Sequence, residues 1–170
     1  MQTSSRLFLG ALALGGCASS PVFDMRMPIE SIDLLSASVQ YVGLDEVKNR
    51  DELKELIGID PVYTEWCAAF INAVLEKTNN ESLNTMGYEF PLTAKGFLYY
   101  GKEVIGPPLA GDIVIFPRGN TGWQGHVGIF VEQRTIDGKE FWMILGGNQN
   151  DKVSIRPYLP ASRLGVRRIN

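Results

Sequence analysis

Apolar positions recur at helical spacing through the first half of the chain and at alternating spacing beyond Pro108, so the sequence divides into two kinds of element. Ile32, Leu34, Leu35, Val39 and Val42 share one face of a helix expected from Ser31. Leu44, Val47, Leu53, Leu56 and Ile57 share a face of a second, with Gly43 and Gly58 at the expected stops. A third helix is expected over residues 64–77, where Trp66, Ala69, Phe70, Ala73 and Val74 fall on a core-facing stripe. Thr64 is a suitable N-cap for it, and Glu65 would favour the positive end of its dipole. A short helix over residues 93–100 is expected to stop at Gly101.

The period-two segments are residues 111–116 (GDIVIF), 126–132 (HVGIFVE) and 141–145 (FWMIL), with Asp137 and Gly138 turning the chain between the last two. Residues 153–156 and 165–169 are weaker strands. Helices first and then an antiparallel meander predict the α+β class.

Composition is that of a globular chain: 170 residues, 45% hydrophobic and 21% charged, enough for one sizeable core. The 18 glycines and 9 prolines form no repeat and fit a domain with many turns. Residues 1–20 differ from the rest. Arg6 precedes an apolar run from Leu7 to Gly16, the layout of a secretory signal peptide, and the run is about half the ~20 residues that span a bilayer. The ending LGGC resembles a bacterial lipobox, which predicts removal of residues 1–16 and lipidation of Cys17. Residues 17–30, with two prolines and no periodicity, read as a tether to a domain of residues 31–170. Loss of Arg6 would move the net charge from −3 to −4, and nothing suggests the concentrated Lys and Arg that a nucleic acid requires.

Lipidation of Cys17 would leave Cys67 without a partner for a disulfide. Near the start of a helix, Cys67 would lie beside unsatisfied backbone N–H groups that favour a thiolate, although cysteine is also a common buried packing residue. The sole histidine, His126, heads a strand and could take the thiol proton and return it to a leaving amine. Asn148 follows one strand later, where antiparallel pairing could bring its amide beside the imidazole to orient it; Gln149 and Asn150 are neighbours able to take that role. One histidine and one cysteine apart from Cys17 cannot supply a closed zinc site.

The ordered motifs TEWCAAF, LTAKGFLYYG, GDIVIF, GHVGIF, LGGNQND and LPASRLGVRR resemble the CHAP family of cysteine, histidine-dependent amidohydrolases and peptidases, close to the NlpC-type peptidases of the papain-like fold, over residues 36–170. The resemblance implies N-terminal helices packed on a five- to six-stranded antiparallel sheet, a half-barrel, with Cys67 opening the central helix. It implies that Cys67 attacks an amide of peptidoglycan, that His126 acts as base and then acid, that Asn148 orients it, and that the Cys67 N–H helps hold the oxyanion. No cofactor is implied. Many members carry a glutamate two residues before the asparagine, where this chain has Gly146.

Trp66 and Trp123 flank the nucleophile and base and are candidates for a substrate groove, Tyr63 for a hydroxyl at the oxyanion, and Gln149 for a groove contact. Asp112 is expected to cap a turn rather than bind calcium, and Arg163, Arg167 and Arg168 to form a solvated or salt-bridged edge. The leading expectation is therefore a monomeric, lipid-anchored peptidoglycan hydrolase on the periplasmic face of the outer membrane, an N-acetylmuramoyl-L-alanine amidase or a stem-peptide endopeptidase. An acyltransferase with the same nucleophile and a non-catalytic envelope module that binds glycan or protein are the alternatives.

Overall fold

Three helices and two 3-10 turns accompany a six-stranded, wholly antiparallel sheet in the computed structural model, which describes residues 29–169. The signal segment, the lipidation site Cys17 and the tether up to residue 28 lie outside the described residues. The helices are α1 (Ile29–Val39), α2 (Arg50–Ile57) and α3 (Cys67–Lys77), and the strands are β1 (Lys102–Glu103), β2 (Ile113–Pro117), β3 (Gly125–Ile136), β4 (Lys139–Gly146), β5 (Ser154–Tyr158) and β6 (Gly165–Arg168). They lie in the order β1-β6-β2-β3-β4-β5, so β2 to β5 form the expected meander and β6 returns to cover the free side of β2. The α+β class and the antiparallel sheet are as the sequence predicts.

The alternation along the strands divides the apolar residues between two faces. Ile113, Ile115, Val127, Ile129 and Leu145 join the cluster that contains α3, whereas Val114, Phe116, Phe130, Trp142 and Ile144 form a second, smaller cluster. Every residue of α3 from Cys67 to Leu75 is buried, the mark of a helix packed on all sides. Its one buried amide, Asn72, is fully used: Oδ1 accepts from the N–H of Leu83 and Nδ2 donates to the carbonyl of Pro91, tying the following loop to the helix. Leu34 and Leu53 anchor α1 and α2 to this core, but Val39, Val42 and Val47 face solvent, because the chain turns out of α1 at Val39 instead of continuing the helical stripe.

Three boundaries differ from expectation for physical reasons. Helix α1 begins at Ile29, inside the segment assigned to the tether. Strand β5 runs on through Pro157 to Tyr158, which is possible because β5 is an edge strand and needs no outward N–H donor there. The two-residue β1 has no sequence pattern and exists through its pairing with Arg167 and Arg168 of β6. The β3–β4 hairpin closes as predicted, with Asp137 and Gly138 both at positive φ.

Asp112 caps its turn by accepting from the N–H of Leu109, and its carboxylate also takes two hydrogen bonds of 2.7 Å from Arg168. Arg168 thus belongs to a partly buried ion pair that locks β6 to the start of β2, and removing one member of such a pair costs about 3 kcal/mol. Among the described residues no helix is long and apolar enough to cross a membrane.

Candidate active site

Helix α3 starts at Cys67, later than the periodicity suggests. Trp66 occupies the N-cap position without a side-chain cap, and Thr64 and Glu65 lie in the preceding loop. The expected Thr64 cap and the placement of Glu65 on the helix dipole are both overturned. Trp66 is 0% exposed, too deeply buried to line a groove: its indole N–H donates to Glu46, and its ring face is covered by Gly147, where a Cβ would come within 2.5 Å of the ring. No larger residue would let the turn after β4 lie this close to α3.

The Cys67 sulfur packs against the backbone N–H of Val127 and of Ala68, which sets it one residue along β3 from His126. Cys67 is 4% exposed and sits in a cleft of about 330 Å³ that is also bordered by Arg118 and Trp123. Burial pushes the thiol up from its ordinary value, and the two backbone N–H groups and the Arg118 charge offset this only in part. The helix start therefore supplies donors, but burial outweighs their tendency to favour a thiolate.

His126 is 3% exposed, pairs across the sheet with Phe116, and stacks on Tyr158 of β5 with ring centroids 5.5 Å apart and planes within 5°. Burial, helped by the nearby Arg118, pushes its pKa down from 6.5 to about 4. Its Nε2 is buried with no hydrogen-bond partner, and so is Oε1 of Gln149. The two are complementary. The Gln149 amide nitrogen donates to the carbonyls of Ile144, Gly146 and Ser154, which fixes that nitrogen on one side and leaves Oε1 as the acceptor nearest the imidazole, although the two atoms are not within hydrogen-bonding geometry in the resting protein. Gly146 eases this approach: a Cβ there would lie 3.3 Å from Nε2 of His126, a tight contact, and 3.5 Å from Cδ of Gln149, an ordinary one.

Asn148, the expected orienting residue, is nearby but turned elsewhere. The β4 ladder ends at Gly146, Asn148 takes a left-handed φ of 54°, and its Nδ2 donates to Glu65 at 2.8 Å. Pairing extrapolated from β4 would place Asn148 opposite His126, but the turn carries it past the imidazole and brings Gln149 beneath the ring instead. This turn is buttressed by residues 43–46, where Gly43 donates to the carbonyl of Val153, Val153 to that of Leu44, and Glu46 to that of Asp151.

The remaining candidates separate. Trp123 is 66% exposed on the rim of the Cys67 cleft, a position suited to a groove contact. Tyr63 is 80% exposed under the Arg50 guanidinium and borders a different cleft, with Thr64 and Asn148, so it is not placed to assist an oxyanion at Cys67. Gln149 is buried beside the imidazole and borders the cleft that holds His126. Sequence reading missed Arg118 and Tyr158. Arg118 carries no motif signal, and Tyr158 lies beyond the proline that ends the predicted strand.

The buried neutral imidazole has a consequence for stability. A folded pKa below the unfolded value means that the unfolded chain binds the proton first. The stability from His126 is therefore fully present above about pH 6.5 and is lost as pH falls through about 4, a change of about 3 kcal/mol. Urea unfolding of the full chain at pH 4 and pH 7 is expected to show this component and His126→Asn to lack it. The same pH slope in both proteins would contradict a buried neutral imidazole.

A scan of the chain against protein-family models, and searches among curated proteins and solved structures, find no match.

Proposed function

We propose that the chain is a cysteine amidohydrolase that cleaves an amide bond of peptidoglycan, between N-acetylmuramate and L-alanine or within the stem peptide, through a thioester acyl-enzyme. The observation that carries the reading is the placement of the lone described cysteine, at the uncapped start of a central helix, against the N–H of Val127, the residue that follows the only histidine in β3, with a cleft open to the thiol. In this mechanism Sγ of Cys67 attacks the carbonyl carbon while its proton passes to Nδ1 of His126, Nε2 being the buried nitrogen on the Gly146 side. The N–H of Cys67 holds the oxyanion. The imidazolium then protonates the departing amine, and water attacks the thioester with His126 as base, releasing the acid and restoring the thiol. Because both groups rest neutral, the proton moves during attack instead of beforehand.

Peptidoglycan as substrate and a periplasmic, lipid-anchored location are supported by the ordered motifs and by the N-terminal segment ending at Cys17. A second reading, a non-catalytic envelope module, is favoured by the deep burial of Cys67. Digestion of purified peptidoglycan by the full chain, with mass spectrometry of the products, separates them. Free stem peptides or cut stems support hydrolysis and name the bond, and an unchanged polymer removes it.

A further inference from the structure

We infer that Arg118 and Asn148 form a carboxylate-binding subsite beside Cys67, and that Glu65 fills it in the resting protein. The inference rests on the nucleophile reading of Cys67 and adds the substrate feature that the groove selects, a free carboxylate close to the scissile amide.

One oxygen carries the geometry. Oε2 of Glu65 accepts from Nη1 of Arg118 at 3.0 Å and from Nδ2 of Asn148 at 2.8 Å. The three side chains come from separate segments: the loop before α3, the residue after β2 and the turn after β4. Two donors of this kind converging on one carboxylate oxygen make a carboxylate receptor, and the internal glutamate shows which ligand chemistry it accepts.

The receptor lies at the reacting centre. Arg118 borders both the cleft of about 330 Å³ that holds Cys67 and the cleft of about 300 Å³ that holds His126. Its charge acts on both groups. A ligand carboxylate on Arg118 therefore sits on the border of the cleft that holds the thiol. In a protein of net charge −3, a guanidinium in this position is not part of a generally basic surface.

Glu65 is held loosely. Its side chain is 72% exposed and that of Arg118 42%, and exposed ion pairs contribute between nothing and about 1 kcal/mol. Glu65 uses one of the five N–H donors of the guanidinium, so an incoming carboxylate with contacts of its own in the groove can displace it. Glu65 then acts as a placeholder that neutralises Arg118 and raises the threshold for substrates without a carboxylate.

Two alkylating reagents of nearly equal size test this without knowledge of the substrate. Iodoacetate carries a carboxylate one bond from its reactive carbon, and iodoacetamide carries the neutral amide. Rates at Cys67 in the full chain are read by peptide mass spectrometry and divided by the rates with glutathione. The normalised preference for iodoacetate is expected to be about threefold in the wild type, about tenfold in Glu65→Gln, and absent in Arg118→Gln. Matching thermal unfolding of the three proteins shows that the fold is retained. Alkylation of Cys67 with no carboxylate preference in the wild type and Glu65→Gln overturns the subsite and leaves the nucleophile reading standing. No reaction with either reagent until the protein is unfolded in urea overturns both.

Discussion

Replacing Cys67 with alanine is expected to lower peptidoglycan amide cleavage by at least about 10⁴-fold, with His126→Ala close behind and the double variant no worse than Cys67→Ala alone. The magnitude follows from the loss of a covalent route, and the lack of additivity follows from two groups acting on one proton. The fold should survive, since alanine fits the space of a small buried thiol at the first position of α3. A finer signature comes from the electrostatics. Burial raises the thiol pKa and lowers that of the imidazole to about 4, so without its base the thiol stays protonated at neutral pH. His126→Ala is therefore expected to regain part of its activity as pH rises toward the ionisation of the thiol, and Cys67→Ala to regain none. Initial rates of product release between pH 5 and pH 10 check both, and Cys67→Ala within tenfold of the wild type would end the hydrolase reading.

How much of this could be read in advance depended on whether the information was local. Alternation placed the meander of β2, β3 and β4, and the Asp137-Gly138 turn closed its hairpin where expected, because each signal lies within a few residues. Cys67 and His126 stood out because one is the only cysteine beyond the N-terminal segment, the other is the only histidine, and each falls at an element boundary. Contacts between distant loops left no such trace. Glu65, Arg118 and Asn148 meet across separations of 53 and 83 residues, and no periodicity links one to another. Trp66 looked like a groove residue through its adjacency to Cys67, but the indole points into the core and is sealed by Gly147. The shift from Asn148 to Gln149 turned on a single left-handed residue where β4 leaves the sheet. Gly146 lies where the glutamine approaches the imidazole, a contact that no local sequence signal announces.

Gln149→Leu is the second large effect, with kcat expected to fall by about 10²- to 10³-fold and KM nearly unchanged. Removing Oε1 takes away the nearest acceptor available to the buried Nε2 when the imidazole is charged during attack, and with it the group that orients the ring. Asn148→Ala removes a contact to Glu65 on the rim and is expected to change kcat by less than about fivefold, with its effect in KM. Because leucine also disturbs packing under the imidazole, a charged variant separates orientation from structure. Gln149→Glu keeps the size, gives up the amide's donations to the Ile144, Gly146 and Ser154 carbonyls, and when ionised places a carboxylate near Nε2, which stabilises the imidazolium and raises its pKa from about 4. The acid limb of kcat/KM is then expected to move upward by more than one pH unit, a displacement that a packing defect alone would not produce. If Asn148→Ala instead loses kcat as severely as Gln149→Leu, and the acid limb of Gln149→Glu stays in place, the orienting role belongs to Asn148.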